Sequence, residues 1–539
     1  MTLLRLAIRS HRTGAIAMAA IGAFSGILNA VAYVQVAGSS PAERHVFAQQ
    51  MEVFGKQLSY LLPAPVQLDT MGGYLTWRDF GTIALVYTIW AMLAGTGAAR
   101  GDEERGLTES WLAAGVSRIR WLLTRAVGFT SAALLSIAVT MAATELGTLI
   151  AKEPLDLVAM AAEGVVFLAL TLVGFAIGLA IAQLVITRRA ASSIGGAVIL
   201  ALYVLNSSSR TGADVGAIRY ASPFYLFDQS APLLQGGALD AGTVLALLAT
   251  AATLTLLAVA AFVRRDVGGS LVRLGTERII STFRPSADPL LRIPVLALVD
   301  QQRWWIVGWS AALCVLAYFM TSLARSIIDS LNKIPTMRVY SEKAGIAAYS
   351  DFVGVIWFST ALLLVSVLVI VQVNGWAADD GEGRLETILA AGASRTRVVL
   401  ERIAALLILV AIVSAASTIV VAIAASAFDI TVSGDRLALA TVLILPLAFA
   451  LASLGHLLVG WRPRVAVLLL GAVTVISYFT QQFAPIFDWP DWVRNTSLFA
   501  LYGTPMTKDD WSGGLTLVAI GVIGTAAALA AMRRRDVGV

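Results

Sequence analysis

Blocks of about twenty largely apolar residues constrain this chain more than any other feature, because that length suits a helix crossing a bilayer. About twelve of them recur along the 539 residues. In the first half they lie near 14–37, 80–99, 124–149, 161–186, 190–206 and 241–263. In the second half they lie near 304–323, 352–375, 401–427, 436–460, 464–483 and 514–532. With 58% hydrophobic and only 14% charged residues, the chain reads as an all-α polytopic membrane protein. The first run follows Arg5, Arg9 and Arg12 and is too long for the core of a signal peptide, so it reads as the first span.

Charge fixes the expected orientation. With the N-terminus inside, 26 of the 39 Lys and Arg fall on the cytoplasmic side, against 14 of the 34 Asp and Glu. All five lysines (Lys56, Lys152, Lys333, Lys343 and Lys508) fall outside. This is the positive-inside pattern, with both termini cytoplasmic, and it accounts for the basic excess without nucleic acid. The preference for Arg over Lys fits a GC-rich bacterial genome, hence a bacterial plasma (inner) membrane.

One polar stretch is written twice. Gly106 to Arg125 matches Gly383 to Arg402 at 11 of 20 positions without a gap. The shared residues include Glu109/Glu386, Leu112/Leu389, Gly115/Gly392, Ser117/Ser394, Arg118/Arg395, Arg120/Arg397 and Arg125/Arg402. Leu107, Trp111 and Ala114 fall at helical spacing, which predicts a short amphipathic helix. Gly115 suits the left-handed residue that ends it, and Ser117 suits the cap of the helix that follows. A second repeat, Arg264-Arg265-Asp266-Val267-Gly268 and Arg534-Arg535-Asp536-Val537-Gly538, follows the last apolar run of each half and reads as a basic anchor at the interface. Together the repeats predict two tandem six-span halves forming a pseudo-dimer. The first half is 1–268, with its polar helix near 103–115. A cytoplasmic linker at 269–300 holds Pro285, Pro289 and Pro294. The second half is 301–539, with its polar helix near 380–392.

Two pairs of outer segments are long, 38–79 with 324–351 and 207–240 with 484–513. The second pair carries Ser222-Pro223-Phe224-Tyr225-Leu226-Phe227 and Ser497-Leu498-Phe499-Ala500-Leu501-Tyr502. Such a segment either dips back among the spans, where protein satisfies its backbone, or forms an aromatic belt at the interface. Gly22-x-x-x-Gly26 and Gly174-x-x-x-Gly178 predict close helix packing.

The chemistry that the chain lacks narrows its function. The one Gly-Lys pair, Gly55-Lys56, is followed by Gln57, so no phosphate-binding G-x-x-x-x-G-K-[ST] loop is written here. Cys314 is the single cysteine, and His11, His45 and His456 are far apart, so no metal spacing appears. No catalytic constellation is recognisable, and the chain reads as a permease or scaffold rather than an enzyme. Glu145 and Glu163 fall near the outer ends of the third and fourth spans and read as wetted helix-end residues, while Gln183, His456 and Asn374 lie toward the inner ends.

At the doubled stretch, the chain resembles permeases of the type-2 ATP-binding-cassette (ABC) exporters, in the fused twelve-span form similar to tetronasin-type polyketide antibiotic exporters. Gly72-Gly73-Tyr74-Leu75-Thr76-Trp77-Arg78 also looks like those members. The resemblance implies that each polar helix is a coupling helix, docking on one copy of a two-copy cytoplasmic ABC ATPase that binds ATP and Mg. It places Leu107, Glu109, Leu112, Gly115, Ser117 and Arg118 in that role, with Leu385, Glu386, Leu389, Gly392, Ser394 and Arg395 in the second half. It also implies re-entrant helices before each half's last span, and no cofactor in this chain. Membrane lipid and a small hydrophobic or amphipathic cargo, moved through a seam between the halves, complete the expected partners. The copies differ upstream, Asp102-Glu103-Glu104-Arg105 against Asp379-Asp380-Gly381-Glu382, which implies unequal docking. A proton-coupled major-facilitator-like drug transporter is the rival reading. It predicts a short basic loop after the second span and mid-membrane acids. A non-transporting scaffold would leave the doubled helix without a partner.

Overall fold

The computed structural model describes residues 2–57, 63–210, 215–271, 288–332, 350, 353–381, 383–484, 489–503, 505–506 and 511–534. Among these, helices and turns form and no strand does. Among the described residues, twelve helices are long and apolar enough to cross a membrane. In the first half they are Leu3–Ala37, Met71–Glu104, Arg118–Ile150, Leu157–Leu184, Arg188–Arg210 and Ala241–Arg264. In the second they are Arg303–Ser322, Phe358–Gly381, Arg395–Ala427, Gly434–Trp461, Val465–Phe483 and Ser512–Arg534. We refer to them as the first to twelfth spans.

Most spans overrun the apolar blocks, because capping and packing, not hydropathy, end a helix. Asp156 starts the fourth span by accepting from the Val158 N–H at 3.1 Å, and Asp240 starts the sixth through Gly242 and Thr243. The second span reaches back to Met71 and carries π-helical turns at Thr76–Phe80 and Gly97–Gly101. It thereby draws Arg78, Asp79 and Arg100, expected in loops, into the helix.

The contacts divide the chain into two units, Met1–Ser281 and Thr282–Val539. A constant shift of 277 residues carries the third span onto the ninth (118 to 395) and the fourth onto the tenth (157 to 434). The π-helical turn at Thr76–Phe80 recurs under the same shift at Val353–Trp357. Within the first unit, the expected small-residue contacts are present. A Cβ on Gly22 or Gly26 of the first span would meet the hydroxyls of Thr140 and Thr144 on the third, and one on Gly174 or Gly178 would meet backbone carbonyls of the second. Such close approach is what glycine at these positions permits.

Before the last span of each unit sits a short helix, Pro223–Asp228 in one and Leu498–Tyr502 in the other. Ser222 Oγ donates to the Leu202 carbonyl at 2.7 Å, and Ser497 Oγ donates to that of Ser477 at 2.6 Å, twenty residues back in both cases. Phe224, Phe227, Phe499 and Tyr502 are buried. Rings packed on Tyr203 and Phe167 are not a surface belt, so these helices turn back among the spans. Of the other outer pair, Pro41–Gln57 is helical, and residues 333–349 lie outside the described residues. So does 272–287 of the linker with Pro285, whereas Pro294 opens a helix over Pro294–Gln301.

Candidate coupling segments

The doubled stretch folds the same way twice. Gly106 (φ 68°) and Gly383 (φ 73°) take left-handed backbone and turn the chain out of the preceding span. The short helices Leu107–Ala113 and Arg384–Ala390 follow. Gly115 (φ 86°) and Gly392 (φ 90°) close them in the left-handed conformation anticipated for a helix end. Their N–H groups donate to the carbonyls of Leu112 and Leu389, each at 3.0 Å. Ser117 and Ser394 then cap the next span, accepting from the N–H of Arg120 (3.3 Å) and Arg397 (3.2 Å). Two glycines and a serine therefore fix where each helix begins, ends and gives way to a span.

The face that each segment leaves exposed is not the whole set read from sequence. Glu109, Gly115 and Ser117 are exposed in the first copy, as are Glu386, Gly392 and Ser394 in the second, while Leu107, Leu112 and Leu389 are half-buried. Leu385 is 2% exposed and packs with Val398, Val399, Ile403 and Met532. It anchors the segment to its own spans and offers nothing to a docking partner. Its register partner is Thr108, also fully buried. Seven residues make two turns, too few for periodicity to decide which side faces in.

Arg118 and Arg395 are also turned inward. Arg118 Nη1 donates to the carbonyls of Phe262 (3.2 Å), Val263 (3.1 Å) and Arg265 (2.5 Å), where the sixth span ends. Arg395 Nη1 donates to the Met532 carbonyl (2.6 Å) at the end of the twelfth. A cation on the last carbonyls of a helix satisfies orphan acceptors and opposes the negative end of its dipole. These arginines thus bind each short helix to the last span of its unit.

Beneath the segments lie charges whose role the sequence did not disclose. Arg125 pairs with Asp102, and Arg402 pairs with Asp379 at 2.6 Å, at matching positions of the two copies. The first unit adds a buried network. Glu103 binds Arg265, Arg100 (Nη1, 2.7 Å) and the Gly268 N–H (3.3 Å). Arg265 Nε donates to Gln183 Oε1 at 2.8 Å, and Arg100 Nε donates to the Ala182 carbonyl at 3.0 Å. Arg265, read as an interface anchor, is in fact buried in this network. The shift of 277 residues places Ala377, Asp380 and Gly460 where Arg100, Glu103 and Gln183 stand, so the second unit cannot build the same network. The one signal available in the sequence was the mismatch at Asp102 to Arg105.

The embedded acids also differ from expectation. Glu163 is 1% exposed and Glu145 is buried, so neither is a wetted helix-end residue. For Glu163 the reason is the helix Pro223–Asp228, which covers that end of the fourth span. Asp79, missed in the sequence because it precedes the apolar block, is buried too and accepts from Ser25 Oγ and from Asn29 Nδ2 (3.2 Å). His456 stacks on Trp376 with ring centroids 4.1 Å apart.

The second unit matches a known family. The family described as "Multidrug efflux system permease Rv1217c, C-terminal domain" covers residues 291–533. The multidrug efflux system permease protein Rv1217c of Mycobacterium tuberculosis is 27% identical over 347 residues. The match covers 62% of this chain and 58% of that protein, less than two thirds of its length. The likeness to an exporter permease, first drawn from the doubled stretch, is thus found again over a far longer segment.

Proposed function

We propose that the chain is the membrane subunit of an ATP-driven ABC exporter that moves a hydrophobic or amphipathic compound, a drug or a lipid, out of a bacterial cell. The observation carrying this reading is the pair of short helices, Leu107–Ala113 and Arg384–Ala390, each held to the spans by its buried side and exposed on the other. A lever needs those two properties, a rigid root and a free face. Each root is a capped helix tied by arginine to the last span of its unit. The free faces present Glu109 and Glu386. Charges at the rim of a docking surface set register and encounter more than affinity. In this reading the doubled segments lie in the cytoplasm, and both termini share that side. Two copies of a separate ATPase, which bind ATP and Mg, dock on them and drive the change of access. The match to a protein named as a multidrug efflux permease supports efflux as the direction.

The test is co-purification from native membranes of wild type against a Glu109→Arg, Glu386→Arg double variant. A nucleotide-binding subunit in two copies per chain is expected with the wild type and lost with the variant. An equal yield of that subunit with both, or none with a folded wild type, refutes the docking role.

A further inference from the structure

The fourth span buries a carboxyl that has no counter-ion. Glu163 is 1% exposed, and its Oε2 has no hydrogen-bond partner. The charge that acts on it is another carboxylate, Asp228, at the end of the helix Pro223–Asp228. Asp228 is already matched. Arg210 donates from Nε to Asp228 Oδ2 at 2.6 Å and from Nη2 to Oδ1 at 2.7 Å, and Asn206 Nδ2 adds a bond to Oδ2 at 2.8 Å. The guanidinium of Arg210 is thus taken by Asp228. With the Asp228–Arg210 pair formed, an ionised Glu163 leaves an uncompensated charge away from water, which is strongly unfavourable. One proton restores neutrality.

The second unit supplies a control. The 277-residue shift places Ala440 at the position of Glu163. The register pairing Ser222 with Ser497 places Gly503 at Asp228, Pro485 at Arg210 and Gln481 at Asn206. The turned-back helix is nevertheless seated in the same way, through Ser497 and the buried Phe499. There the Tyr502 hydroxyl donates to the Ala440 carbonyl at 2.9 Å instead. The fold thus closes without these charges, and all three are replaced together, as members of one device would be.

The elements packed on the fourth span carry other titratable or charged groups: Asp79, Tyr87 and the exposed Arg78 on the second, Glu145 on the third, Tyr203 on the fifth and Asp240 capping the sixth. The carboxyls among them each accept a bond, although Asp79 Oδ2, like Glu163 Oε2, has no partner. Asp79 accepts from Ser25 and Asn29, Glu145 from Thr148 Oγ1 (3.0 Å), and Asp240 from the Gly242 N–H (2.8 Å). We propose that Glu163, Asp228 and Arg210 form a single-proton site, in which Glu163 holds the proton while the helix Pro223–Asp228 is seated and releases it to water when that helix withdraws.

The charge balance makes the test quantitative. Infrared difference spectra of the full chain in lipid nanodiscs at neutral pH count protonated carboxyls. Wild type is expected to show one such carboxyl that Glu163→Gln removes. Asp228→Asn is expected to diminish it, because the carboxylate that opposes ionisation of Glu163 is then gone. Arg210→Gln is expected to raise the count by one over wild type. Identical carboxyl signals in wild type and Glu163→Gln would overturn the proposal, and so would an undiminished band in Asp228→Asn. Those two near-isosteric variants decide the matter even if Arg210→Gln fails to fold. The measurement reads the resting chain without any partner, so its failure leaves the exporter reading intact.

Discussion

Replacing Asp102 by Asn should destabilise the protein far more than the matching change at Asp379. The two aspartates hold equivalent arginines, but in different surroundings. Asp102 and Arg125 side chains are each 3% exposed, whereas Asp379 is 25% and Arg402 9% exposed. Removing one partner of a fully buried pair strands the other, at about 3–5 kcal/mol. A partly wetted pair is screened and is worth about 1 kcal/mol. Asp379 also accepts from the exposed Arg384 at 2.8 Å, a surface contact that adds little. At about 2–4 °C per kcal/mol, Asp102→Asn should lower the melting temperature on the order of 10 °C, and Asp379→Asn by about 3 °C. The assay is intrinsic-fluorescence melting of the purified chain in nanodiscs. A double variant, Asp102→Leu with Arg125→Met, replaces the buried pair by apolar groups and should recover most of the loss. Equal shifts for the two single variants, or no recovery in the double, would refute the burial argument.

Other substitutions probe the segments themselves. Leu385→Ala should cost about 2–5 kcal/mol as a cavity in the cluster of Val398, Val399 and Ile403. The half-buried Leu107→Ala should cost clearly less, and the same melting assay compares them. Ser117→Ala and Ser394→Ala each remove a helix cap and should cost about 1 kcal/mol apiece, seen as faster amide exchange over the first turn of the third and ninth spans. Outside the spans, Glu43 accepts from the N–H groups of Ser40 (3.0 Å) and Ser39 (2.9 Å), which hold its carboxyl below its ordinary value of 4.5. A depressed carboxylate stabilises the fold above its unfolded value and loses that effect as pH falls through the folded one. Protection of the Ser39 and Ser40 amides should therefore be full at neutral pH and fade below about 4.5. Glu43→Gln should abolish this pH dependence.

What could be read directly followed from local rules. A long apolar run has little choice but to be helical in lipid, because its backbone must satisfy itself. The caps were legible for the same reason: Gly115 and Ser117 meet a steric and a hydrogen-bonding need decided within four residues. The buried charges were not. Glu163 near a helix end looks wetted until Pro223–Asp228 folds over it, and that contact joins residues 65 apart in sequence. Asp79 precedes its apolar block, and only the π-helical turn at Thr76–Phe80 carries the span back past it. Arg265 has the same neighbours as Arg535, yet its burial depends on Glu103 and Gln183. The side taken by Leu385 follows from Val398 and Met532, which no pattern within a two-turn helix reveals.

A repeated scaffold frees each copy to be tethered by different forces. In the first unit the second, fourth and sixth spans meet beneath the doubled segment through the charges of Arg100, Glu103 and Arg265. In the second unit the doubled segment is seated by Leu385 against Val398, Val399, Ile403 and Met532. An ionic network is directional, and it resists shear until a bond breaks and a charge is left buried. An apolar contact, worth about 1.5–3 kcal/mol for one leucine, tolerates sliding because it has no preferred direction. If both segments carry force from a partner, the first should transmit it with less play than the second. Moving Glu103 to the second unit would not make the two equal, since Ala377 and Gly460 stand in place of the network's Arg100 and Gln183. The asymmetry therefore resides in three spans together, and no single exchange between the units can remove it.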